Sequence, residues 1–296
     1  MRVGVTGSSG LLGEALCAAL ERAGHEVRGL DLRAPEGSDR HGDIRDLARV
    51  ARWAEGCDGV VHLAAVSRVV DAERDPERCE STNVTGTANV ASAAASAGAW
   101  TLFASSREVY GEPARLPVYE DDPVAPLNRY GRSKAEGERI IADLRARGSR
   151  AAVLRFANVY GSTHDHPDRV VPAFCRNAAQ GKRLRVDGAM HTFDFTHLDD
   201  TVGCIVKVIE ALAAGARDLP TIHVASGRPT TLGQLAVTAA AAGGWRSEIV
   251  EAPSRDFDVS RFCGDPSRAF EVLGWRSART VEDGVAELVR AFSRGS

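Results

Sequence analysis

Three features are scarce in this 296-residue chain, and each scarcity excludes a class of protein. No stretch approaches the roughly 18 consecutive apolar residues of a membrane helix. The formal net charge is only −3, which gives no reason to expect a nucleic acid partner. The six cysteines include no Cys-x-x-Cys pair, so we expect reduced thiols rather than disulfides or a metal site; they are Cys17, Cys57, Cys79, Cys175, Cys204 and Cys263. We therefore predict a cytoplasmic protein with no leader segment.

One short run contains residue types that bind metals. His164, Asp165 and His166 are consecutive, and three consecutive side chains rarely converge on one ion. We therefore predict no metal site, and interpret this run as a polar loop at the mouth of a substrate site.

The N-terminal residues carry the clearest functional pattern. The segment 1–6 is typical of a short buried strand, and Gly7, Gly10 and Gly13 follow it before an alanine-rich helix. Glycines at this spacing allow the backbone to approach a pyrophosphate, and the N–H groups at the start of the helix face its negative charge. Asp31 ends the next predicted strand. In this context the pattern predicts dinucleotide binding.

The remaining pattern predicts the fold class. Strands are predicted at 2–6, 26–31, 59–63, 100–105, 150–156 and 221–225, and helices at 11–23, 45–54, 76–97, 131–147, 170–180 and from about 281. This alternation indicates an α/β protein with a doubly wound, Rossmann-type parallel sheet. We predict an NAD-binding domain over 1–157, with 191–226 returning to it. A smaller substrate-binding lobe is predicted over 158–190 and 227–296, in which 160–168 and 181–194 are irregular.

A second constellation points to proton transfer. Tyr130 and Lys134 are four residues apart at the start of a predicted helix, so both lie on one face. A nearby ammonium group favours the phenolate and is expected to lower the pKa of Tyr130 towards the working pH of a general base. Ser106 ends a predicted strand and brings a hydroxyl to the same edge of the sheet.

These residues and several further motifs resemble one family. The chain resembles the extended short-chain dehydrogenases/reductases, in particular the NAD-dependent sugar epimerase/dehydratase family, and among them the nucleotide-sugar 4-epimerases. The resemblance runs nearly end to end, through TGSSGLLG (6–13), GDIRD (42–46), HLAAVS (62–67), NVTGTANV (83–90), SSREVYGEP (105–113), YGRSK (130–134), LRFANVYG (154–161) and FDFTHLDD (193–200).

The resemblance implies a role for each candidate residue. The implied catalytic residues are Ser106, Tyr130, Lys134 and Glu108. The implied NAD-binding residues are Gly7, Gly10, Leu11, Leu12, Gly13, Asp31, Arg33, Asp43, Ile44, Leu63, Ala64, Ala65, Asn83, Tyr130, Lys134 and Ala157. The implied substrate-binding residues are Ser67, Arg68, Ser106, Asn158 and Arg255. The family also implies a homodimer formed by helices near 76–97 and 131–147.

The chain departs from the family pattern in two places. Phe193 stands where the family usually has an arginine that touches the substrate diphosphate. Ser106, Arg107 and Glu108 stand where 4,6-dehydratases carry Thr-Asp-Glu, and arginine does not release its proton near neutral pH. Glu108 is either an acid or base, or a structural carboxylate paired with Arg107. Arg68 either faces an anionic substrate group, such as a uronate, or caps a surface loop.

The favoured interpretation is 4-epimerisation of a nucleotide-activated hexose, with a UDP-sugar as the preferred substrate class. Tyr130 removes the 4-hydroxyl proton, Ser106 hydrogen-bonds the developing carbonyl, and NAD takes up and returns the hydride. Three alternatives stay open: a nucleotide-sugar 4-ketoreductase, a dehydratase that uses Glu108, and a non-catalytic dinucleotide sensor.

Overall fold

A six-stranded, entirely parallel sheet forms the centre of the larger lobe. The computed structural model describes residues 1–253 and 259–294. The strands of this sheet are β1 (Arg2–Thr6), β2 (Glu26–Leu30), β3 (Gly59–His62), β4 (Trp100–Ser106), β5 (Ala151–Phe156) and β9 (Ile222–Val224). Their order is β2-β1-β3-β4-β5-β9, with every neighbouring pair parallel. The predicted doubly wound α/β fold is confirmed, and each predicted strand matches within about one residue at either end.

Consecutive residues of the strands enter different hydrophobic clusters, because side chains alternate across a sheet. Leu102 and Leu154 pack in one cluster with α1 (Leu11–Arg22) and α8 (Leu198–Ala213). Phe103 and Val153 pack in another with α6 (Arg129–Ala146). Helices α2 (Leu47–Ala54) and α5 (Gly86–Ser96) cover the β1–β3 part of that second face. Burial on both faces explains why the strands are almost continuously apolar.

The predicted helix 76–97 is interrupted in the structure. Two short helices, α3 (Val69–Arg74) and α4 (Pro76–Glu80), precede a π-helical turn at Ser81–Thr85, and α5 follows. Asp75 caps α4 by accepting a hydrogen bond from the Arg78 N–H at 3.0 Å, with Pro76 in the first turn. Asn83 lies in this π-helical turn and is buried.

Among the described residues, the smaller lobe contains two small sheets and three helices. Its strands are β6 (Asn158–Tyr160), β7 (Leu184–Asp187), β8 (Thr192–His197), β10 (Pro229–Thr231) and β11 (Ile249–Ala252). They form a three-stranded sheet in the order β10-β8-β6 and the pair β11-β7. The helices of this lobe are α7 (Val170–Ala179), α9 (Leu232–Ala242) and α11 (Val281–Arg294). Helix α10 (Ser267–Leu273) packs instead against α8 and β9 of the larger lobe.

This lobe corrects one expectation and refines another. The segment 181–194 is not irregular throughout, because it contains β7 and the start of β8. Of the segment 191–226, α8 and β9 pack in the larger lobe, whereas β8 pairs with β6 and β10. The division of the chain into domains at residue 157 stays a prediction. All six cysteines are buried and free, and among the described helices none has the length and apolarity needed to cross a membrane.

A buried histidine ties three elements together beneath the carboxyl edge of the sheet. His62, at the end of β3, hydrogen-bonds through Nδ1 with Thr6 Oγ1 at 2.7 Å and through Nε2 with Thr87 Oγ1 at 2.9 Å. Thr87 Oγ1 in turn donates to the carbonyl of Asn83 at 2.5 Å. Burial lowers the pKa of His62 to about 3, and the charge of Lys134 acts in the same direction.

This lowered pKa predicts an acid sensitivity that depends on His62. Between pH 6.5 and 3 the unfolded chain binds a proton that folded His62 does not, so the free energy of unfolding falls as the pH drops through this window. The contribution is about 1.4 kcal/mol per pH unit. Urea unfolding at pH 7 and pH 5 should show this loss in the wild type and a smaller loss in His62→Gln. An equal loss in both proteins would contradict the prediction.

Candidate active site

A cleft of about 1360 Å³ opens along the carboxyl edge of the parallel sheet, and residues of both lobes line it. The glycine turn after β1 lies in its wall together with the ends of β3, β4 and β5. The smaller lobe contributes residues 164–174 and the start of β8. In an open parallel α/β sheet this edge is where ligands bind.

The glycine turn has no room for side chains. Gly7 has φ +71°, and a Cβ on it would lie 2.8 Å from the backbone nitrogen of Ala64. A Cβ on Gly13 would lie 2.1 Å from the carbonyl oxygen of Gly7. Helix α1 therefore starts directly against the turn, with Gly10 as an N-cap that offers no side chain to the helix N–H groups. This is a cradle for a pyrophosphate at a helix N-terminus.

An acidic side chain lies beside this cradle. Asp31 is buried and accepts hydrogen bonds from the N–H groups of Ser9 at 2.9 Å and Arg33 at 2.8 Å. The Arg33 side chain is exposed and lies 3.4 Å from the same carboxylate. Since an ionised carboxylate has about four acceptor positions, Asp31 keeps capacity for ribose hydroxyls. The glycine turn and Asp31 together fit NAD.

The packing at Gly13 gives a testable consequence for NAD binding. Gly13→Ala must displace the Gly7 carbonyl, and overpacking of this kind costs about 1–3 kcal/mol. We expect NAD to bind about ten- to a hundredfold more weakly in this variant, measured by calorimetry. Gly203→Ala is the matched control, because a Cβ there meets its nearest atom at 3.9 Å. Unchanged NAD affinity in Gly13→Ala would contradict this account of the cradle.

Ser106, Tyr130 and Lys134 meet in the middle of the cleft. Asn128 caps α6 by accepting from the Gly131 N–H at 2.7 Å, which places Tyr130 and Lys134 in the first turns of that helix. Lys134 is buried; its Nζ donates to the carbonyl of Ala104 at 2.8 Å and lies 5.8 Å from the Tyr130 ring centroid. Tyr130 and Ser106 both line the cleft, and Ser106 acts on the phenol of Tyr130 by lowering its pKa.

The sequence predicts that the ammonium group of Lys134 lowers the pKa of Tyr130. In the structure this prediction is wrong. Burial raises the pKa of Tyr130 to about 12, and the Ser106 side chain and the charge of Arg169 only partly oppose this rise. Burial also lowers the pKa of Lys134 to about 8. Desolvation disfavours both charged forms, and in this site it outweighs the neighbouring groups that favour them.

Each carboxylate oxygen of Glu108 has a partner. Its Oε1 lies 2.8 Å from Arg107 Nη2, and its Oε2 accepts a hydrogen bond from Asn128 Nδ2 at 2.7 Å. The Arg107 Nε donates to Asn158 Oδ1 at 3.0 Å. The pairing of Glu108 with Arg107 matches the structural interpretation of this carboxylate; its role in chemistry stays a prediction.

Arg68 bridges the two lobes across the cleft. Its guanidinium pairs with Asp168, in the segment before α7, and lies 3.5 Å from Asp71 in α3. Ser67, next to it, lies at the surface of the cleft, as do His164, Asp165 and His166. Arg68 is therefore already neutralised by carboxylates, although it lies where substrate binding was predicted.

A buried polar network behind the active-site strand was not predicted. Ser105 donates to Glu138, and Glu138 accepts two hydrogen bonds from Arg155, at 2.8 Å from Nε and 2.6 Å from Nη2. Arg155 Nη1 continues to the hydroxyl of Tyr110 at 2.5 Å, and that hydroxyl contacts His223 Nε2 at 2.6 Å. One signal was available: Glu138 follows Lys134 by four residues, so both lie on the face of α6 towards the sheet.

Comparison with known proteins identifies this arrangement. Residues 3–221 match the model of the NAD dependent epimerase/dehydratase family. The chain belongs to this family. It is 32% identical to the UDP-glucose 4-epimerase of Mycolicibacterium smegmatis, with 100% of each chain covered.

Solved structures of similar proteins agree with this assignment to the family. The Thermotoga maritima UDP-glucose 4-epimerase with UDP-glucose superposes with a TM-score of 0.91 at 26% identity, covering 100% of this chain and 99% of the other. MoeE5 in complex with UDP-glucuronic acid and NAD superposes with a TM-score of 0.90 at 27% identity, covering 100% of each chain. The predicted family is confirmed, as is NAD as the cofactor of an NAD-dependent epimerase/dehydratase.

Most residues predicted for this epimerase/dehydratase site lie at the surface of the cleft. They are Gly7, Gly10, Leu11, Leu12, Gly13, Asp31, Arg33, Ile44, Leu63, Ala64, Ala65, Ser67, Arg68, Ser106, Glu108, Tyr130, Lys134, Ala157 and Asn158. Their individual roles stay predictions. Arg255 lies outside the described residues.

Two predicted NAD contacts among the described residues do not line the cleft. Asn83 is buried; its Oδ1 accepts from the Val66 N–H at 2.8 Å, and its Nδ2 donates to Ser133 Oγ at 2.9 Å. Asp43 is held by the Arg45 side chain, with Nε at 2.8 Å. Both side chains lie next to backbone that lines the cleft. Asn83 holds the backbone at Val66, and Asp43 lies beside Ile44 and Arg45.

Proposed function

We propose that this enzyme catalyses 4-epimerisation of a nucleotide-activated hexose, with a UDP-sugar as substrate, through a transient 4-keto sugar. The observation that carries the proposal is the meeting of Ser106, Tyr130 and Lys134 in one cleft with the glycine turn. The UDP-glucose 4-epimerases that align along nearly their whole length support the choice of reaction and of nucleotide.

In the proposed mechanism Tyr130 is the group that takes the proton of the 4-hydroxyl. Its raised pKa means that the phenolate needs further positive charge nearby. When bound, NAD supplies the reversible hydride acceptor, and its oxidised nicotinamide ring carries a positive charge. Lys134 contributes an ammonium group, and Ser106 offers a hydroxyl to the oxygen at carbon 4 as the carbonyl develops.

The 4-keto sugar must then turn in the cleft and accept hydride on its other face. Tyr130 returns its proton to the oxygen at carbon 4, so the enzyme ends the cycle in its starting state. The volume of the cleft, about 1360 Å³, leaves room for this movement beside the cofactor. Retention of NAD through the cycle follows, because loss of the reduced cofactor would strand the keto sugar.

The geometry at Glu108 favours epimerisation over dehydration. A dehydratase that uses Glu108 needs a carboxylate oxygen of this residue for proton transfer to the sugar. Each of the carboxylate oxygens already has a partner, Arg107 at 2.8 Å and Asn128 at 2.7 Å, which supports a structural role for this carboxylate. A ketoreductase would use the same Ser106, Tyr130 and Lys134, but it must exchange NAD(P)H at every turnover.

The experiment that tests the proposal is mass spectrometry of products after incubation with the purified protein and no added cofactor. The panel comprises UDP-glucose, UDP-glucuronate, UDP-N-acetylglucosamine and dTDP-glucose. We expect a product of unchanged mass and shifted retention from at least one UDP-sugar. Loss of water would establish a dehydratase instead. No product from any sugar, followed by turnover of a 4-keto sugar with added NADPH, would establish the ketoreductase.

Two further predictions concern the protein in the cell. A homodimer through α5 and α6 and a cytoplasmic location both remain predictions. Light scattering of the purified protein measures the first of them.

A further inference from the structure

Within the described residues, one nitrogen of the Arg107 guanidinium has no hydrogen-bond partner. Arg107 directly follows Ser106 and begins a short 3₁₀ helix. Its Nε donates to Asn158 and its Nη2 pairs with Glu108. Its Nη1 is buried and has no hydrogen-bond partner among residues 1–253 and 259–294.

The surroundings of this nitrogen are aromatic. The Arg107 Cζ lies 4.7 Å from the centroid of the Phe193 ring and 6.0 Å from that of Phe262. A ring face attracts the cation but offers no lone pair comparable to an oxygen. An unmade hydrogen bond on a buried charged donor is costly. Such a donor at the wall of a ligand cleft is therefore a group that a ligand completes.

Arg107, Asn158 and Phe193 all line the cleft that contains Tyr130. Arg68, which was predicted to face an anionic substrate group, is already paired with Asp168 and Asp71. Arg107 thus offers a free hydrogen-bond donor at this cleft. Phe193 is the position where the family resemblance implies an arginine. The two departures from the family pattern lie in contact with each other.

We infer that Arg107 binds an anionic oxygen of the nucleotide sugar through Nη1. Arginine is always charged and presents its donors in a planar fork that matches carboxylate and phosphate oxygens. The oxygen belongs either to a carboxylate on the sugar or to the diphosphate. The inference rests on the proposed function, because the anion is part of a nucleotide sugar.

The test is calorimetric titration of the NAD-loaded protein with UDP, UDP-glucose and UDP-glucuronate. Arg107→Met removes the donor. Because it also leaves buried Glu108 unpaired, Arg107→Met/Glu108→Gln is measured in parallel, and thermal unfolding identifies a variant that does not fold. Arg139→Met is the matched control: this arginine is exposed, and within the described part of the chain its one ion pair is with Glu136.

We expect the Arg107 variants to bind about ten- to a hundredfold more weakly, the range for a hydrogen bond to a charged group. Weaker binding of all three ligands assigns the oxygen to the diphosphate. Weaker binding of UDP-glucuronate alone assigns it to the sugar carboxylate. Wild-type affinity for all three ligands in a folded Arg107 variant overturns the inference and leaves the proposed function intact. Failure of the wild type to bind any of the three overturns both.

Discussion

Tyr130→Phe should lower kcat by at least about two orders of magnitude, the usual scale for loss of a general acid–base group. The substitution removes one oxygen and leaves the ring, which lies 5.8 Å from the Lys134 ammonium. Only the proton transfer is lost, so KM for the sugar should change far less than kcat. Initial rates with the best sugar of the UDP panel measure both constants.

The control for this variant is Tyr119→Phe. Tyr119 is exposed, and its ring packs against the side chain of Arg115, away from the cleft. This variant should keep wild-type turnover. If Tyr130→Phe also keeps near-normal turnover, Tyr130 is not the base and the proposed mechanism fails.

The largest expected effect on stability is that of Glu138→Leu. Glu138 holds Arg155 through two hydrogen bonds, and the two side chains are 14% and 7% exposed. Removing one partner of a buried pair leaves an uncompensated charge, which costs about 3–5 kcal/mol. Urea unfolding should show this loss of unfolding free energy. Ser105 loses its hydrogen bond to Glu138 in the same variant, and because Ser105 directly precedes Ser106, kcat should also fall.

A double variant separates the charge from the packing. Glu138→Leu/Arg155→Met removes both charges, and replacing a buried pair by apolar side chains of similar volume is often neutral. Its unfolding free energy should therefore lie close to the wild-type value. A double variant as unstable as Glu138→Leu would show that packing, and not the unpaired Arg155, accounts for the loss.

Local patterns predicted the larger lobe well. The strands that follow the glycine turn are short and apolar, and burial on both faces leaves few other ways to place them. Ser106, Tyr130 and Lys134 were also accessible from the sequence, because a strand end and a helix start meet at one edge of a parallel sheet. Ser106 and the first turn of α6 do meet there.

Contacts between distant residues could not be predicted in this way. The pairing of Arg68 with Asp168, and of Arg107 with Asn158 and Phe193, joins segments far apart in sequence. The pKa of Tyr130 could not be predicted either. The spacing to Lys134 indicates attraction, but the desolvation that reverses the shift depends on the packed environment.

Most of the smaller lobe also escaped prediction. Its strands are three to six residues long, and they pair across large separations, as β8 does with β10 and β11 does with β7. Such segments carry too little periodicity to be distinguished from loops. The π-helical turn at Ser81–Thr85 gave no signal because its residues also suit an α-helix.

The central claim is that hydride leaves carbon 4 of the sugar and returns to it within one bound complex. The most direct test is turnover of a UDP-hexose deuterated at carbon 4, with excess unlabelled NADH in solution, followed by mass spectrometry and NMR of the epimer. The account predicts that the epimer keeps its deuterium at carbon 4. Replacement of that deuterium by hydrogen would show that the reduced cofactor exchanges during the cycle, and it would contradict the proposed 4-epimerase mechanism.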